Sequence, residues 1–189
     1  MPNIKTDMRE LSLNILDIVQ NSISAGATLI TIQVKEDTVS DTLTIGISDN
    51  GCGMTEQQVA QVRDPFYTTR TTRKVGMGVP LMEMAAALSG GSLDIRSQVG
   101  VGTDIRATFG LSHIDRMPMG DLCATYTTLI RMNPQIDFTC EYQVDDKSFT
   151  VDTRQLKDIL GDVPLDEPDV MEWITRYFQE QMQLIDVKA

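Results

Sequence analysis

Cysteine is scarce in this chain of 189 residues, and its three cysteines (Cys52, Cys123 and Cys140) show no paired spacing. A disulfide framework or a zinc site is therefore disfavoured, and a reducing cytoplasm is the natural setting. No apolar run approaches membrane-spanning length, so we expect no membrane partner. Residues 1–10 are polar and lack the apolar core of a secretory signal peptide, so we expect a cytoplasmic protein.

Basic residues are also few, since the chain has 16 lysines and arginines and 27 aspartates and glutamates, which gives a net charge of -11. Binding to nucleic acid or to an anionic membrane surface is therefore not expected. The hydrophobic fraction of 41% is that of an ordinary globular protein. The length suits one domain with a sizeable core plus an appendage.

Thr6 or Asp7 can cap a mostly apolar helix that is predicted to run to about residue 25, and the glycine after it can end it. Asn14, Asp17 and Asn21 fall at i, i+3 and i+7 and form a polar stripe on this helix. Because buried polar groups need partners, the stripe predicts a ligand, a metal or a hydrogen-bond network. The alternative for Asp17 and Asn21 is a polar network that ties the helix to a loop.

Residues 49–54 read Asp-Asn-Gly-Cys-Gly-Met and follow a strand-like run. The carboxylate of Asp49 at a strand end can accept a hydrogen bond from the amino group of adenine. Gly51 and Gly53 would let the chain pass close to a flat base. The alternative is a plain turn, because Asn-Gly is a common turn pair.

Residues 76–78 read Gly-Met-Gly and open a predicted helix that runs to residue 88. The backbone N–H groups at such a helix start can hold phosphates, although an ordinary glycine-rich loop is the alternative. The side-chain oxygen of Asn21 can take one position around Mg²⁺, and Asp17 can orient or deprotonate an attacking group near a γ-phosphate. Between the two glycine pairs lie four cations that suit either a lid over a triphosphate or a solvated loop: Arg63, Arg70, Arg73 and Lys74.

Alternation and capping signals predict the remaining elements. The expected strands are residues 27–34, 43–49, 92–97, 103–109, 138–143 and 148–151, and the expected further helices begin after Thr55, near residue 121, at Thr153 and near residue 167. The pattern changes after residue 111, so a boundary divides residues 1–112 from residues 113–189.

Several motifs together resemble those of the GHKL ATPases, the superfamily of gyrase B, Hsp90, histidine kinases and MutL. Residues 17–21 resemble the N box of that superfamily, and residues 49–54 resemble its G1 box. Residues 64–70 resemble the F box, residues 76–81 the G2 box, and residues 100–103 the last conserved piece. The resemblance covers residues 7 to about 111, and the region of the lid and the G2 box is most similar to histidine kinases. The lid is short, as in histidine kinases and anti-sigma-factor kinases.

The resemblance implies an α+β fold, a two-layer Bergerat-type sandwich with helices on one face of a mixed sheet, plus a small C-terminal α+β appendage. It implies ATP and Mg²⁺ as ligands, with Asp49 reading adenine and Asn21 as the metal ligand. Asp17, Arg70 and Lys74 would be the catalytic residues. The other nucleotide-binding residues would be Gly51, Gly53, Met54, Phe66, Gly76, Met77, Gly78, Val79 and Thr103.

The expected activity is transfer of the γ-phosphate to a separate partner protein, and the alternative is an ATP-dependent binding switch with little turnover. Asp17 stands where hydrolysing branches usually carry Glu and many histidine kinases carry Asn. Only six residues precede the first predicted helix, so we expect no upstream phospho-acceptor helix pair. The sole histidine, His113, partly resembles a kinase H box, although the acidic residue is one position late and the segment follows the ATP domain; the alternative is a domain linker. Residues 113–189 would serve partner or self association.

Overall fold

A computed structural model describes residues 10–64 and 77–186. These residues form six helices and six strands. In chain order the elements are α1 (Leu11–Ser24), β1 (Leu29–Asp37), β2 (Thr42–Asp49), α2 (Glu56–Val62), α3 (Gly78–Leu88), β3 (Ser92–Gln98), β4 (Gly102–Gly110), α4 (Leu122–Met132), β5 (Asp137–Val144), β6 (Lys147–Asp152), α5 (Thr153–Leu160) and α6 (Pro168–Asp186).

All six strands belong to one sheet, in the order β3-β4-β2-β1-β5-β6. The pair β1 and β5 is parallel and the other four pairs are antiparallel, so the sheet is mixed. The predicted α+β fold with a mixed sheet and helices is thereby confirmed. Strands from both sides of residue 112 share this sheet, and the division into residues 1–112 and 113–189 stays a prediction.

A layer of helices lies against one face of the sheet, with α1 packed between α3 and α4, and α4 packed on α6. Along β1 and β2 every second side chain is apolar and buried against this layer, because successive side chains of a strand point to opposite faces. The largest fully buried side chains belong to α1, α4, α6 and the four inner strands of the sheet: Tyr126, Phe109, Phe138, Phe178, Leu11, Ile15, Ile18, Ile30, Ile32, Leu43, Ile45 and Ile47. Among the helices of residues 10–64 and 77–186, none combines the length and apolarity that a bilayer crossing requires.

Helix α1 starts later than the sequence predicts. Glu10 has an extended backbone and is the N-cap, so Leu11 is the first helical residue, and the predicted start at residue 6 or 7 is wrong. The N–H groups of Leu11 and Ser12 donate to the carbonyl oxygens of Pro118 and Met119, at 2.9 and 2.8 Å. A segment more than one hundred residues away in sequence thus supplies the acceptors that fix this helix end.

The predicted elements of the C-terminal part are confirmed, with one correction at a cap. Asp152, rather than Thr153, is the N-cap of α5, and its carboxylate accepts from the N–H of Arg154 at 2.9 Å. The buried hydroxyl of Thr153 instead accepts from the N–H of Phe138, the second residue of β5, at 2.8 Å. Thr153 therefore holds the start of α5 against the start of β5.

Candidate functional site

Asp49 ends β2 on the face of the sheet that the helices cover. It follows Leu43, Ile45 and Ile47, all buried, at the two-residue spacing of one strand face. One carboxylate oxygen, Oδ2, accepts from the hydroxyl of Ser22 on α1 at 2.6 Å. The other oxygen, Oδ1, accepts from the N–H of Gly51 at 2.9 Å. These two bonds fix the carboxylate in place, while an ionised carboxylate has lone pairs for further donors.

Two hydroxyl groups continue from Asp49 across the sheet. Thr103 on β4 pairs with Asp49 in the β2–β4 register, and Ser97 on β3 pairs with Thr103. The Oγ atoms of Ser97 and Thr103 lie 2.8 Å apart, and Ser97 Oγ accepts from the N–H of Met54 at 2.8 Å. Asp49, Thr103 and Ser97 therefore form a polar row that also positions the start of α2.

The loop of residues 49–54 is held close to its neighbours. Gly53 has a φ of +68°, and a Cβ there would lie only 1.9 Å from the carbonyl oxygen of Gln98. Gly51 is buried, and a Cβ there would lie 3.0 Å from Asp49 Oδ1. Both glycines are thus explained by close approach of protein atoms, and their predicted contact with a base stays a prediction.

Helix α1 does not carry the buried polar stripe that its spacing predicts. Asn14 is buried and its Nδ2 lies 3.7 Å from the sulfur of Met117. Asn21 is half-buried, whereas Asp17 is exposed. The exposed face of α1 also includes Leu13, half of whose surface is exposed. Burial therefore gives no argument for a ligand at Asp17. The argument depends instead on where Asp17 lies relative to the start of α3.

The start of α3 lies directly against Asp17. A Cβ at Gly78 would be 2.9 Å from the Cβ of Asp17, so only glycine permits this packing without displacement. Met77 is the N-cap and has no side-chain capping bond. No described residue accepts from the N–H of Gly78 or of Val79. Pro80 sits in the first turn of α3, where proline is tolerated, as predicted.

Five of the residues singled out in the sequence lie outside the described residues: Phe66, Arg70, Arg73, Lys74 and Gly76. The fourth basic residue grouped with the lid, Arg63, is described and has a structural role. Its guanidinium forms an ion pair with Glu83 of α3 at 3.2 Å and donates to the carbonyl oxygen of Leu93 at 3.3 Å. Arg63 thus anchors the end of α2 to α3 and β3.

His113 lies at the end of the sheet remote from Asp49. Strand β4 runs from Gly102, next to Asp49, to Gly110, three residues before His113. Eight residue steps at about 3.4 Å each separate the two ends of this strand by roughly 27 Å. The start of α3 is also remote, because ten residue steps at about 1.5 Å put Gly78 roughly 15 Å from Leu88, and the carbonyl oxygen of the next residue, Ser89, accepts from the N–H of Gly110. A phosphate held at Gly78 would therefore lie far from His113 of the same chain.

Sequence reasoning misses three residues that support the site: Ser22, Ser97 and Asn50. Ser22 holds Asp49, and Ser97 holds Thr103 and Met54. The side-chain oxygen of Asn50 accepts from the N–H groups of Thr28 and Leu29, both at 2.9 Å, and so ties the end of β2 to the start of β1. Apart from the Ser97–Thr103 pair of the β3–β4 hairpin, their partners are distant in sequence, so no local pattern identifies them.

Comparisons with known proteins agree with this geometry. The family model of the histidine kinase-, DNA gyrase B-, and HSP90-like ATPases matches residues 6–113. A putative sensor protein of Shewanella frigidimarina is 32% identical over 116 residues, which cover 60% of this chain and 18% of that protein. The sensor protein kinase FleS of Pseudomonas aeruginosa is 35% identical over 89 residues, which cover 47% of this chain and 22% of that protein.

The chain therefore spans about a fifth of the length of these curated relatives. A solved structure of the N-terminal domain of a DNA repair protein superposes with a TM-score of 0.53 at 16% identity, over 75% of this chain and 51% of that one. At that identity the likeness concerns the fold alone. Because the family model covers more than half of the chain, the protein belongs to the histidine kinase-, DNA gyrase B-, and HSP90-like ATPases and contains an ATP-binding domain of that family.

Proposed function

We propose that this protein is a Mg²⁺-ATP-dependent regulatory kinase that transfers the γ-phosphate to a partner protein. The observation that carries the proposal is the placement of α1, which contacts both halves of the site. Ser22 of α1 holds Asp49, and Asp17 of α1 packs on the start of α3. Five residue steps at about 1.5 Å put these two α1 positions roughly 7.5 Å apart on one rigid element.

Asp49 forms the adenine end of the proposed site. Its carboxylate is fixed by Ser22 and Gly51 and keeps lone pairs for the amino group of the base. Thr103 lies beside it in register and offers a hydroxyl, and the half-buried side chain of Met54 offers an apolar contact. Gly53 and Phe66 complete the residues that we assign to the base.

The start of α3 forms the phosphate end of the proposed site. The N–H groups of Gly78 and Val79, together with those of Gly76 and Met77, would hold phosphate oxygens at the positive end of the helix dipole. Asn21 lies one turn along α1 from Asp17 and would give its side-chain oxygen to Mg²⁺.

Bound ATP would supply the transferable γ-phosphoryl group. The contribution of this chain is chiefly positioning and neutralisation of charge. Asp17 would orient the attacking group of the partner and accept its proton, and Arg70 and Lys74 would balance the negative charge of the phosphates. The three cysteines are free, which favours the reducing cytoplasm as the place where this reaction occurs.

Incubation with γ-labelled ATP and Mg²⁺, alone and with a cell extract, tests the proposal. We expect label to appear on a second protein in the extract and to disappear with the Asn21→Ala variant. A Gln20→Ala variant is the matched control, because Gln20 is the exposed neighbour of Asn21 on α1. Absence of any labelled protein with a wild type that still binds ATP would contradict the kinase proposal.

The second candidate function is a binding switch, in which ATP changes the surface of the protein and turnover is slow or absent. The exposed position of Asp17 favours this function, because the described residues do not bury the place where Asp17 would meet a reacting group. The Asp17→Asn variant separates the two functions. Loss of phosphoryl transfer with unchanged ATP affinity supports the kinase, and a wild type without turnover in the presence of partners supports the switch.

A further inference from the structure

An aromatic surface remains uncovered where α5 and α6 meet the β6 edge of the sheet. Trp173 is the only tryptophan of the chain, and 47% of its surface is exposed. Its ring stacks on that of Tyr177, with centroids 5.5 Å apart and planes 12° from parallel. Ile159 of α5 is 81% exposed on the same surface. Contiguous exposed apolar groups of this kind mark interaction surfaces.

A cleft opens between these side chains, and we call it the β6-edge cleft. Its volume is about 180 Å³, and its walls include Leu156, Ile159, Trp173, Ile174 and Tyr177. Pockets for small-molecule ligands usually measure about 300–1,000 Å³, so this cleft is too small for most of them. Its size and apolar walls suit a single large apolar side chain that anchors a protein segment.

The neighbouring strand offers backbone groups to such a segment. β6 is the last strand in the sheet order, and within residues 10–64 and 77–186 no strand pairs with its outer edge. Thr150, Val151 and Asp152 of β6 also line the cleft. An extended segment can add to an open sheet edge through main-chain hydrogen bonds while its side chains enter adjacent pockets.

Charge around the cleft selects the chemistry of the partner. The two basic residues of α5 are neutralised within the chain, since Arg154 pairs with Asp152 and Lys157 with Asp137, both at 2.6 Å. Five acidic side chains lie on α5, in the loop after it and at the start of α6, and none forms an ion pair with a described residue: Asp158, Asp162, Asp166, Glu167 and Asp169. Arg176 lines a groove on the α4 side of α6. The cleft is therefore apolar, and the stretch of chain that links its α5 wall to its α6 wall is negative; we call this stretch its rim.

We propose that the β6-edge cleft binds an extended segment of a partner protein that inserts one large apolar side chain and carries Lys or Arg on both sides of it. A second copy of this acidic chain would bring like charges together at the rim, which disfavours self association at this surface. The cleft is three strands away from Asp49, or roughly 14 Å across the sheet at about 4.8 Å per strand. It lies in residues 150–177, beyond the family match, and does not depend on the proposed kinase activity.

A synthetic peptide tests the proposal, with Trp173 of the intact chain as the fluorescent reporter. The probe is Thr-Lys-Thr-Phe-Thr-Arg-Thr-Lys with blocked ends, which contains no tryptophan and places its basic residues on the same face of an extended chain as the phenylalanine. We expect a saturable change in Trp173 emission that weakens as salt is raised. Replacing the phenylalanine of the peptide by alanine should lower the affinity at least tenfold, and replacing its basic residues by glutamate should abolish binding.

Matched variants of the protein locate the binding surface. Ile159→Ser should lower the affinity for the phenylalanine peptide at least fivefold, with an unchanged circular dichroism spectrum. Ile114→Ser should leave it unchanged, because Ile114 is 94% exposed on the turn after β4. Equal binding of the alanine peptide, or full affinity of the Ile159→Ser variant, would overturn the proposal. So would a dimer in analytical ultracentrifugation that Ile159→Ser converts to a monomer, because a second copy would then cover the cleft.

Discussion

At the scale of single residues, two carboxylates on neighbouring strands make the role of Asp49 testable. Asp49 accepts from Ser22 on the helix-covered face of the sheet. Asp104 of β4 accepts from Ser48 of β2 on the opposite face. Both carboxylates accept a hydrogen bond from a serine, but the donor to Asp49 belongs to α1 and the donor to Asp104 belongs to β2. A difference in ATP affinity between the variants of these two residues would therefore reflect the position of Asp49 rather than the loss of a carboxylate alone.

Asp49→Asn should weaken ATP binding by about 1–3 kcal/mol, the typical cost of leaving a buried polar group without its partner. An amide presents a donor where the adenine amino group needs an acceptor. Isothermal titration calorimetry with wild type, Asp49→Asn and Asp104→Asn measures the effect. Asp104→Asn should bind ATP as wild type does. Equal affinity of all three proteins would remove the assignment of Asp49 to adenine.

The buried hydroxyl of Tyr126 is expected to lower the stability of the folded protein. Its ring is fully buried and packs on Phe178 at 5.3 Å between centroids, and its hydroxyl has no hydrogen-bond partner among the described residues. Burial raises the pKa of Tyr126 well above its ordinary value, so the hydroxyl stays neutral. An unpaired buried hydroxyl costs free energy that a phenylalanine would not.

We therefore expect Tyr126→Phe to raise the free energy of unfolding by about 1 kcal/mol. Tyr142→Phe is the matched control, because the Tyr142 hydroxyl donates to Glu36 at 3.4 Å. Removing that donor should leave stability unchanged or slightly lower. Urea denaturation followed by circular dichroism distinguishes the two variants. A loss of stability in Tyr126→Phe would mean that this hydroxyl has a partner, such as a buried water.

Local patterns predict which residue ends a strand and which glycines open a helix, and they miss what those residues touch. The alternation of apolar and other residues predicts β2 and its last residue, Asp49, and the glycines at residues 76 and 78 predict the start of α3. The donor to Asp49 is Ser22, 27 positions away. Only the tertiary fold sets such a contact, because no local rule relates two residues at that separation.

At the scale of elements, the same limit appears at helix ends. The capping box of α2, with Thr55 and Gln58, is confirmed because both partners lie within one turn of each other. The start of α1 is predicted wrongly because its acceptors are carbonyl oxygens of Pro118 and Met119. The cap of α5 shifts from Thr153 to Asp152 because β5 takes the Thr153 hydroxyl.

The cap of α5 also makes a prediction about pH. The hydrogen bonds from the side chain of Arg154 lower the pKa of Asp152 in the folded protein, despite the opposing effect of burial. A lowered pKa means that the contribution of Asp152 to stability is present above its unfolded value of about 3.9 and is lost as pH falls through the folded value. Asp152→Asn keeps a capping side chain but removes the charge, so it isolates this effect.

The free energy of unfolding of Asp152→Asn should be lower than that of wild type by about 0.2–1 kcal/mol at pH 7. The difference should shrink as pH falls below about 4, where wild-type Asp152 becomes protonated as well. Urea titrations at a series of pH values measure both proteins. Asp94→Asn is the control, because the ion pair of Asp94 with Arg96 is largely exposed and should contribute less. A difference that persists at acid pH would assign the effect to the cap itself.

At the scale of the whole molecule, the sheet joins the family domain to the residues that follow it. Residues Leu29–Glu36 of β1 pair in parallel with Asp137–Val144 of β5. The carbonyl oxygens of Pro118 and Met119, which follow the family domain, also fix the start of α1, and α4 packs on the same helix. The sequence shows a change of pattern near residue 112, but it does not show the order of the strands. β1 and β5 are separated by about one hundred residues in sequence, and only the tertiary fold brings them together.

If these contacts are cooperative, both parts of the chain should unfold in one transition. Trp173 reports α6, and Ile45, buried on β2, lies in the family domain. Ile45→Val should cost about 0.5–1.5 kcal/mol and should shift the urea midpoint seen by Trp173 fluorescence as much as the midpoint seen by circular dichroism. A Trp173 midpoint that stays in place while the circular dichroism midpoint shifts would instead establish two independently folding units divided near residue 112.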